Sequence, residues 1–273
     1  MVRVLVATIV LGALATGAHA DAEGARAAAL PELARVEGPG ATVLVLRGEL
    51  GRKRAPALVA LARAVYADLG RRFLRADPDA EPRPVDVCLF ATTAAYRAIA
   101  AEAVGGELPS ELGFYLPGER LVLVNLERGL GNLPHEIAHP ILEDDFPGLP
   151  AWMNEGIASL YGGSVATRAG VRFRVNYRHR HLRAAAAAGT LPGLDELAAS
   201  SWADVHGEEA MTWYALARTV LLYLESRSEL EAFYAEIRDG ADPGDRLRAR
   251  VDARAFSRWS AALAVGRLVR PAR

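Results

Sequence analysis

The chemistry in this chain gathers in Leu133 to Gly163, LPHEIAHPILEDDFPGLPAWMNEGIASLYGG, and within it at His135, Glu136 and His139. Residues four apart on a helix lie about 40° from each other, so both imidazoles can grip one ion. Glu136 is turned about 100° from His135, which puts its carboxylate beside the ion and not on it. H-E-x-x-H is the zinc-hydrolase pattern: two neutral imidazoles bind Zn²⁺, and the glutamate takes a proton from the water in the open coordination position. A catalytic zinc takes a third protein ligand, and Glu155, in Trp152-Met153-Asn154-Glu155-Gly156, is the expected one. The five-residue pattern alone is a weak signal; a glutamate at workable spacing on a second helix makes it much stronger.

Two helices must hold these groups. Pro134 suits the first helical turn, where its missing N–H would have had no partner. Pro140 follows His139, cannot donate to the carbonyl of Glu136 and disfavours helical geometry at His139, which predicts a kink at the metal. The acids, prolines and glycine of Glu143 to Pro150 predict that the first helix ends there and the chain turns back, so that two roughly antiparallel helices face each other across the ion.

Upstream, Ala41 to Leu46 reads as a strand, and Pro56 to Leu74 as a helix with apolar Leu58, Leu61, Val65, Leu69 and Phe73 on one side. Val85 to Phe90 reads as a strand, and Thr92 or Thr93 caps a helix to about Ala103. Gly105 to Gly118 is loop-like and carries Gly113-Phe114-Tyr115; Arg120 to Leu126 is a strand. Asp21 to Gly40 is Ala-rich and polar, a short helix interrupted by Pro31. Beyond Gly163, Val171 to Val175 suggests a hairpin or irregular strand; in Arg178 to Arg183 two histidines, His179 and His181, flanked by arginines suggest an anion or second metal site, against which stands the plainer reading of a solvated basic face. Glu208 to Glu225, Leu230 to Ile237 and Ala253 to Leu268 are helical in pattern. The expected fold is α+β in one catalytic domain: a sheet-bearing part over about 40–127, a helical part over about 128–273, with the zinc helices at the junction and the cleft between the halves.

The hydrophobic share of 51%, the charged share of 24% and the formal net charge of -1 are those of an ordinary globular chain with no general attraction to nucleic acid or anionic membranes. Met1 to Ala20 has a basic start at Arg3, an apolar run from Val4 to Ala15 and small residues at Ala18 and Ala20, the pattern of a secretory signal peptide. That predicts a periplasmic or secreted protein, mature from near Asp21, with no stable membrane insertion once the signal is removed. No cysteine near the cleavage point marks a lipoprotein, and the single cysteine, Cys88, in Val85-Asp86-Val87-Cys88-Leu89-Phe90, reads as a packed, inert thiol.

HEIAH followed by PAWMNEG resembles the peptidase MA-like group of the gluzincin zinc metallopeptidases, relatives of thermolysin. The likeness runs from about Pro84 to Leu224: a strand, a helix, GFY, another strand, the two zinc helices and a later tyrosine-bearing helix. It implies that fold, one Zn²⁺ per chain and hydrolysis of peptide bonds in a peptide or protein substrate. In Trp213-Tyr214-Ala215-Leu216-Ala217-Arg218, Tyr214 resembles the tyrosine that donates to the tetrahedral oxyanion in gluzincin relatives. Ser159, four residues after Glu155, is the expected hydrogen-bond partner of a ligand histidine, and Asn154 and Trp152 are expected to position the ligand glutamate and close the helix pair. In this family the strand before the zinc helix forms the upper rim of the cleft with its edge open to substrate, a role that would fall on Arg120 to Leu126, against which stands the plainer reading of an ordinary sheet strand. Pro140 departs from the family's pattern. No G-x-M-E-N motif of the aminopeptidases is present, which favours an endopeptidase. Two other readings stand beside the peptidase: a noncatalytic envelope scaffold or binding protein on the same fold, whose usual sign would be an altered base, and a zinc hydrolase of a nonpeptide amide such as a cell-wall bond.

Overall fold

The computed structural model describes residues 27, 29–75, 77, 79–167 and 170–269; Met1 to Ala20, expected from the sequence to be a signal peptide, lies outside them. The chain divides into two compact units, the break falling between Asp145 and Phe146.

The first unit is built on a five-stranded sheet of β1 (Glu32–Glu37), β2 (Thr42–Arg47), β3 (Arg83–Phe90), β4 (Gly113–Leu116) and β5 (Leu121–Asn125), in the order β1-β2-β3-β5-β4. β2, β3 and β5 run parallel, and β1 and β4 pair antiparallel at the two edges. The parallel strands are joined by helices, α1 (Arg54–Arg72) between β2 and β3 and α2 (Thr93–Val104) between β3 and β5, as parallel pairing requires. β2 and β5 are buried along almost their whole length, so they read as continuous aliphatic runs without alternation. On α1, Leu58, Ala62, Val65, Tyr66 and Leu69 form the buried stripe. Thr92 caps α2 by accepting from the Ala95 N–H at 3.3 Å. Cys88 packs with Phe90, Tyr96, Ala100, Phe114 and Leu123, and burial pushes its thiol up to about 12, so it stays an inert core thiol.

Two strand readings are corrected. Arg120 to Leu126 is not an edge: β5 lies between β3 and β4, with every residue buried. The edge is β4, in the segment expected to be loop, where a four-residue, glycine-led strand is too short to show a period of two. β1 occupies part of the segment expected to hold a short helix; only Val36 is buried there, so its pairing to β2 leaves little mark on the hydrophobic pattern.

α3 (Asn132–Asp145) completes the unit, packed on α1, β2, β4 and β5. It runs through Pro140 to Asp145, so Glu143 to Asp145 form its last turn instead of the turn leading away. Three acids at a helix C-terminus oppose the dipole, and neighbouring groups answer each one. Tyr115 donates to Glu143 at 2.8 Å, and the Arg75 N–H donates to Asp145 at 2.8 Å. Asp144 accepts from Arg120 at 2.8 and 3.0 Å, from Arg83 and from the Thr42 hydroxyl. This docking extends the sheet-bearing part through Asp145, past the expected boundary near residue 127.

The second unit is helical: α4 (Ala151–Gly162), α5 (His179–Ala188), α6 (Leu194–Ala198), α7 (Trp202–His206), α8 (Ala210–Ser226), α9 (Leu230–Arg238), α10 (Pro243–Arg250) and α11 (Ala253–Ala261), with the hairpin β6 (Ser164–Thr167) and β7 (Gly170–Phe173). α8 is its axis, buried from Tyr214 to Glu225 and touched by α4, α5, α6, α7, α9 and α11. α4 lies close along it because Gly156 has no side chain; a Cβ there would meet Leu221 Cδ1 at 2.7 Å and the Ala217 carbonyl carbon at 3.3 Å. The last helix stops at Ala261, short of the expected Leu268. The architecture is α+β, a sheet-bearing first part and a helical second part. Among the described residues no helix is long and apolar enough to cross a membrane.

Candidate metal centre

α3 buries every residue from Leu133 to Leu142, so the polar groups it carries there are held nearly dry. His135, Glu136 and His139 keep 8%, 4% and 4% of their surface exposed. The two imidazoles meet edge to face, centroids 5.0 Å apart at 85°, as the four-residue spacing anticipates. A Glu136 carboxylate oxygen lies 3.9 Å from His139 Nε2. One ligand atom from each of the three residues falls within 4.8 Å of the others, and the group can hold a metal ion. Two imidazole nitrogens and a carboxylate oxygen form a donor set of intermediate hardness, which suits a first-row divalent ion.

The sheet edge shapes the space around Glu136. Gly113, the first residue of β4, has φ +153; a Cβ there would come 2.7 Å from the Leu123 carbonyl oxygen and 3.2 Å from Glu136 Cγ. Only glycine lets this strand lie so close to the glutamate. Tyr96 is fully buried and donates its hydroxyl proton to the Ser110 carbonyl. Burial first, then the charges of Glu136 and Glu111, push that hydroxyl far above its ordinary value, so it remains a donor.

The other expected residues sit on the second unit. Glu155, on α4, is 3% exposed, with Oε1 3.0 Å from His206 Nε2. The opposite ring nitrogen of His206 lies 3.0 Å from the Trp202 carbonyl. The imidazole is therefore held at both ring nitrogens. Trp202 stacks on it, ring centroids 4.2 Å apart and 14° from parallel. α7, the five-residue helix carrying both rings, is set by a capping box: the Ser201 hydroxyl accepts from the Asp204 N–H at 3.2 Å and the Asp204 carboxylate from the Ser201 N–H at 2.8 Å. Tyr214, on α8, is completely buried; its ring lies 5.8 Å from that of His206, and the Arg178 guanidinium stands 5.7 Å over it. Asn154 is half-buried in the first turn of α4. Ser159 is fully buried; its hydroxyl makes no hydrogen bond among the described residues, and its carbonyl accepts from Arg218 Nε at 3.0 Å.

Two neighbours of Glu155 and Tyr214 carried little signal in the sequence. His206 is marked only by the Ser201-x-x-Asp204 capping pattern that starts its helix. Arg178 was expected on a solvated face with its neighbours; the structure corrects this, since Arg178 and His179 are 7% and 3% exposed while Arg180, His181 and Arg183 are exposed. The run is split by the helical turn it begins. The chain matches no family model and no curated protein.

Proposed function

We propose that this protein is an exported, zinc-dependent metallopeptidase of gluzincin type, acting on peptide bonds within a peptide or protein substrate. The observation that carries the proposal is the dry His135–Glu136–His139 group, with its three ligand atoms within 4.8 Å of one another. His135 and His139 would hold the zinc, with Glu155 as third protein ligand. Zinc held there would supply a Lewis acid and make a water beside it more acidic. Glu136 accepts the proton of the attacking water and passes it to the leaving amine. Tyr214 donates a hydrogen bond to the carbonyl oxygen as negative charge grows on it. Export is proposed on the pattern of Met1 to Ala20.

The test pairs metal analysis of purified mature protein with a cleavage panel of peptides and cell-wall amides. Stoichiometric zinc is expected, lost or greatly weakened in His135→Ala, His139→Ala and Glu155→Ala. Glu136→Gln should keep its zinc and lose about 10²- to 10⁴-fold in turnover, because an amide cannot accept the proton. Near-parental turnover in Glu136→Gln would sink the mechanism. A parent that binds zinc yet cleaves nothing in the panel would favour the noncatalytic reading.

A further inference from the structure

The interior of the second unit holds two guanidinium groups and no carboxylate paired with either among the described residues. Arg218, 2% exposed, donates from Nε to the Ser159 carbonyl at 3.0 Å and from a terminal nitrogen to the Arg174 carbonyl. Arg178 is 7% exposed, and its side chain makes no hydrogen bond and no ion pair among the described residues; Nε is buried without a partner. Its guanidinium stands over two ring faces, Tyr177 at 5.1 Å and Tyr214 at 5.7 Å. Cation–π contacts of this kind recover only part of what desolvating an ion costs. The surplus of positive charge is felt nearby. Burial first, then Arg178, push Arg218 down, and burial followed by Arg183 and Arg218 lowers His179. Elsewhere in this chain a dry charge has its counter-ion, as Asp144 has Arg83 and Arg120.

We infer that Arg178 is the point at which the protein recognises a carboxylate of its substrate. This rests on the peptidase reading of the Glu155 region, because position is what makes the anion a substrate group. Arg178 stands over Tyr214, Tyr214 touches His206, and His206 holds Glu155. Two large aromatic side chains at this cluster reach solvent: Tyr177 beneath Arg178, 45% exposed, and Trp202 on His206, 39% exposed. Arginine, tyrosine and tryptophan are the residues that most often anchor partners in recognition sites. A guanidinium with its fork unused matches a carboxylate in bidentate geometry. The carboxylate would be a glutamate or aspartate side chain, or a free C-terminus, a few residues at most from the bond that is cut.

The experiment uses the full mature chain and N-acetyl hexapeptide pairs that differ only as Glu against Gln, or as C-terminal acid against amide. Calorimetric titration of the Glu136→Gln variant, with and without zinc, reads recognition without turnover; kcat/KM ratios within each pair read it in the parent background. We expect the acid member of one pair type to be favoured roughly tenfold to a hundredfold, the range for a hydrogen bond to a charged group. The pair type that discriminates tells a side-chain carboxylate from a C-terminal one. Arg178→Met should bring that ratio close to one, and Arg178→Lys, which keeps the charge without the fork, should retain part of it. Arg178→Met should also unfold at no lower temperature than the parent, because it removes a buried cation that has no counter-ion. Equal affinity for both members of every pair, a ratio unchanged in Arg178→Met, or a clear drop in its unfolding temperature would each overturn the proposal. Failure of zinc binding or cleavage alone would count against the peptidase reading, while the titration of acid and neutral peptides would still decide the role of Arg178.

Discussion

A carboxylate 3.9 Å from an imidazole nitrogen, with both side chains at most 6% exposed, is costly to keep in a protein interior unless it has work to do. That cost is the residue-scale argument for a site at His135, Glu136 and His139. Tyr214 adds a second prediction. The ordinary alternative for an aromatic on an amphipathic helix, a hydroxyl at the surface, does not hold here, because Tyr214 is completely buried beside His206 and Arg178. If it is the oxyanion donor, Tyr214→Phe should keep fold and zinc content while turnover falls about a hundredfold to a thousandfold. The loss should appear in kcat more than in KM, since the oxyanion forms only near the transition state. Steady-state kinetics on any substrate the parent cleaves would check this; unchanged kinetics would pass the role to His206. Tyr161, on the same helix as Glu155, is edge-to-face with Phe173 at 5.2 Å, a core contact.

At the scale of elements, α3 is held by its ends as much as by its apolar face. Its acidic last turn would fray if left to the dipole, and Asp144 prevents this by binding groups from β2, β3 and the residue before β5. Asp144→Ala should lower stability by about 2–3 kcal/mol in denaturant unfolding, less than the loss of a fully buried pair because Arg83 and Arg120 stay partly in water. At the edge strand, β4 approaches Glu136 so closely that Gly113→Ala forces either the strand or the glutamate to move. With a positive φ to accommodate as well, the variant should lose at least about 1 kcal/mol of stability. On the peptidase proposal its turnover should fall by far more than its zinc content, which separates displacement of the proposed base from loss of the proposed ligands. A variant with parental turnover would show that Glu136 tolerates the shift.

At the scale of the whole molecule, each unit has a core of its own: the aliphatic parallel strands with α1 and α2 in the first, and α8 with the helices around it in the second. Neither core is assembled around His135, His139 or Glu155, so metal is not needed to bury the apolar surface, in contrast to small zinc-folded domains. On the zinc proposal, chelation is therefore expected to remove the metal, and any activity with it, while the far-ultraviolet circular dichroism stays within a few per cent of the metal-loaded signal. Collapse of that signal on chelation would show that the metal holds the fold together.

Local and periodic features were legible in the sequence: the spacing of His135 and His139, the alternation of β2, α1, β3 and α2, the Thr92 cap, the buried cysteine and the long helices after residue 208. Each depends on residues within one or two turns of each other, where propensity and amphipathic period act directly. Pairing order depended on contacts far apart in the chain. β5 became interior and β4 the edge because a four-residue strand found its partner in β5, and β1 joined β2 with a single buried side chain. The same holds for charge. Nothing in Arg178-His179-Arg180-His181-Leu182-Arg183 marks which cations will be dry; the packing of α5 against α8 decided that, burying Arg178 and His179 and leaving Arg180, His181 and Arg183 in water. A sequence states where each charge lies along the chain, and only the tertiary structure determines the solvent around it.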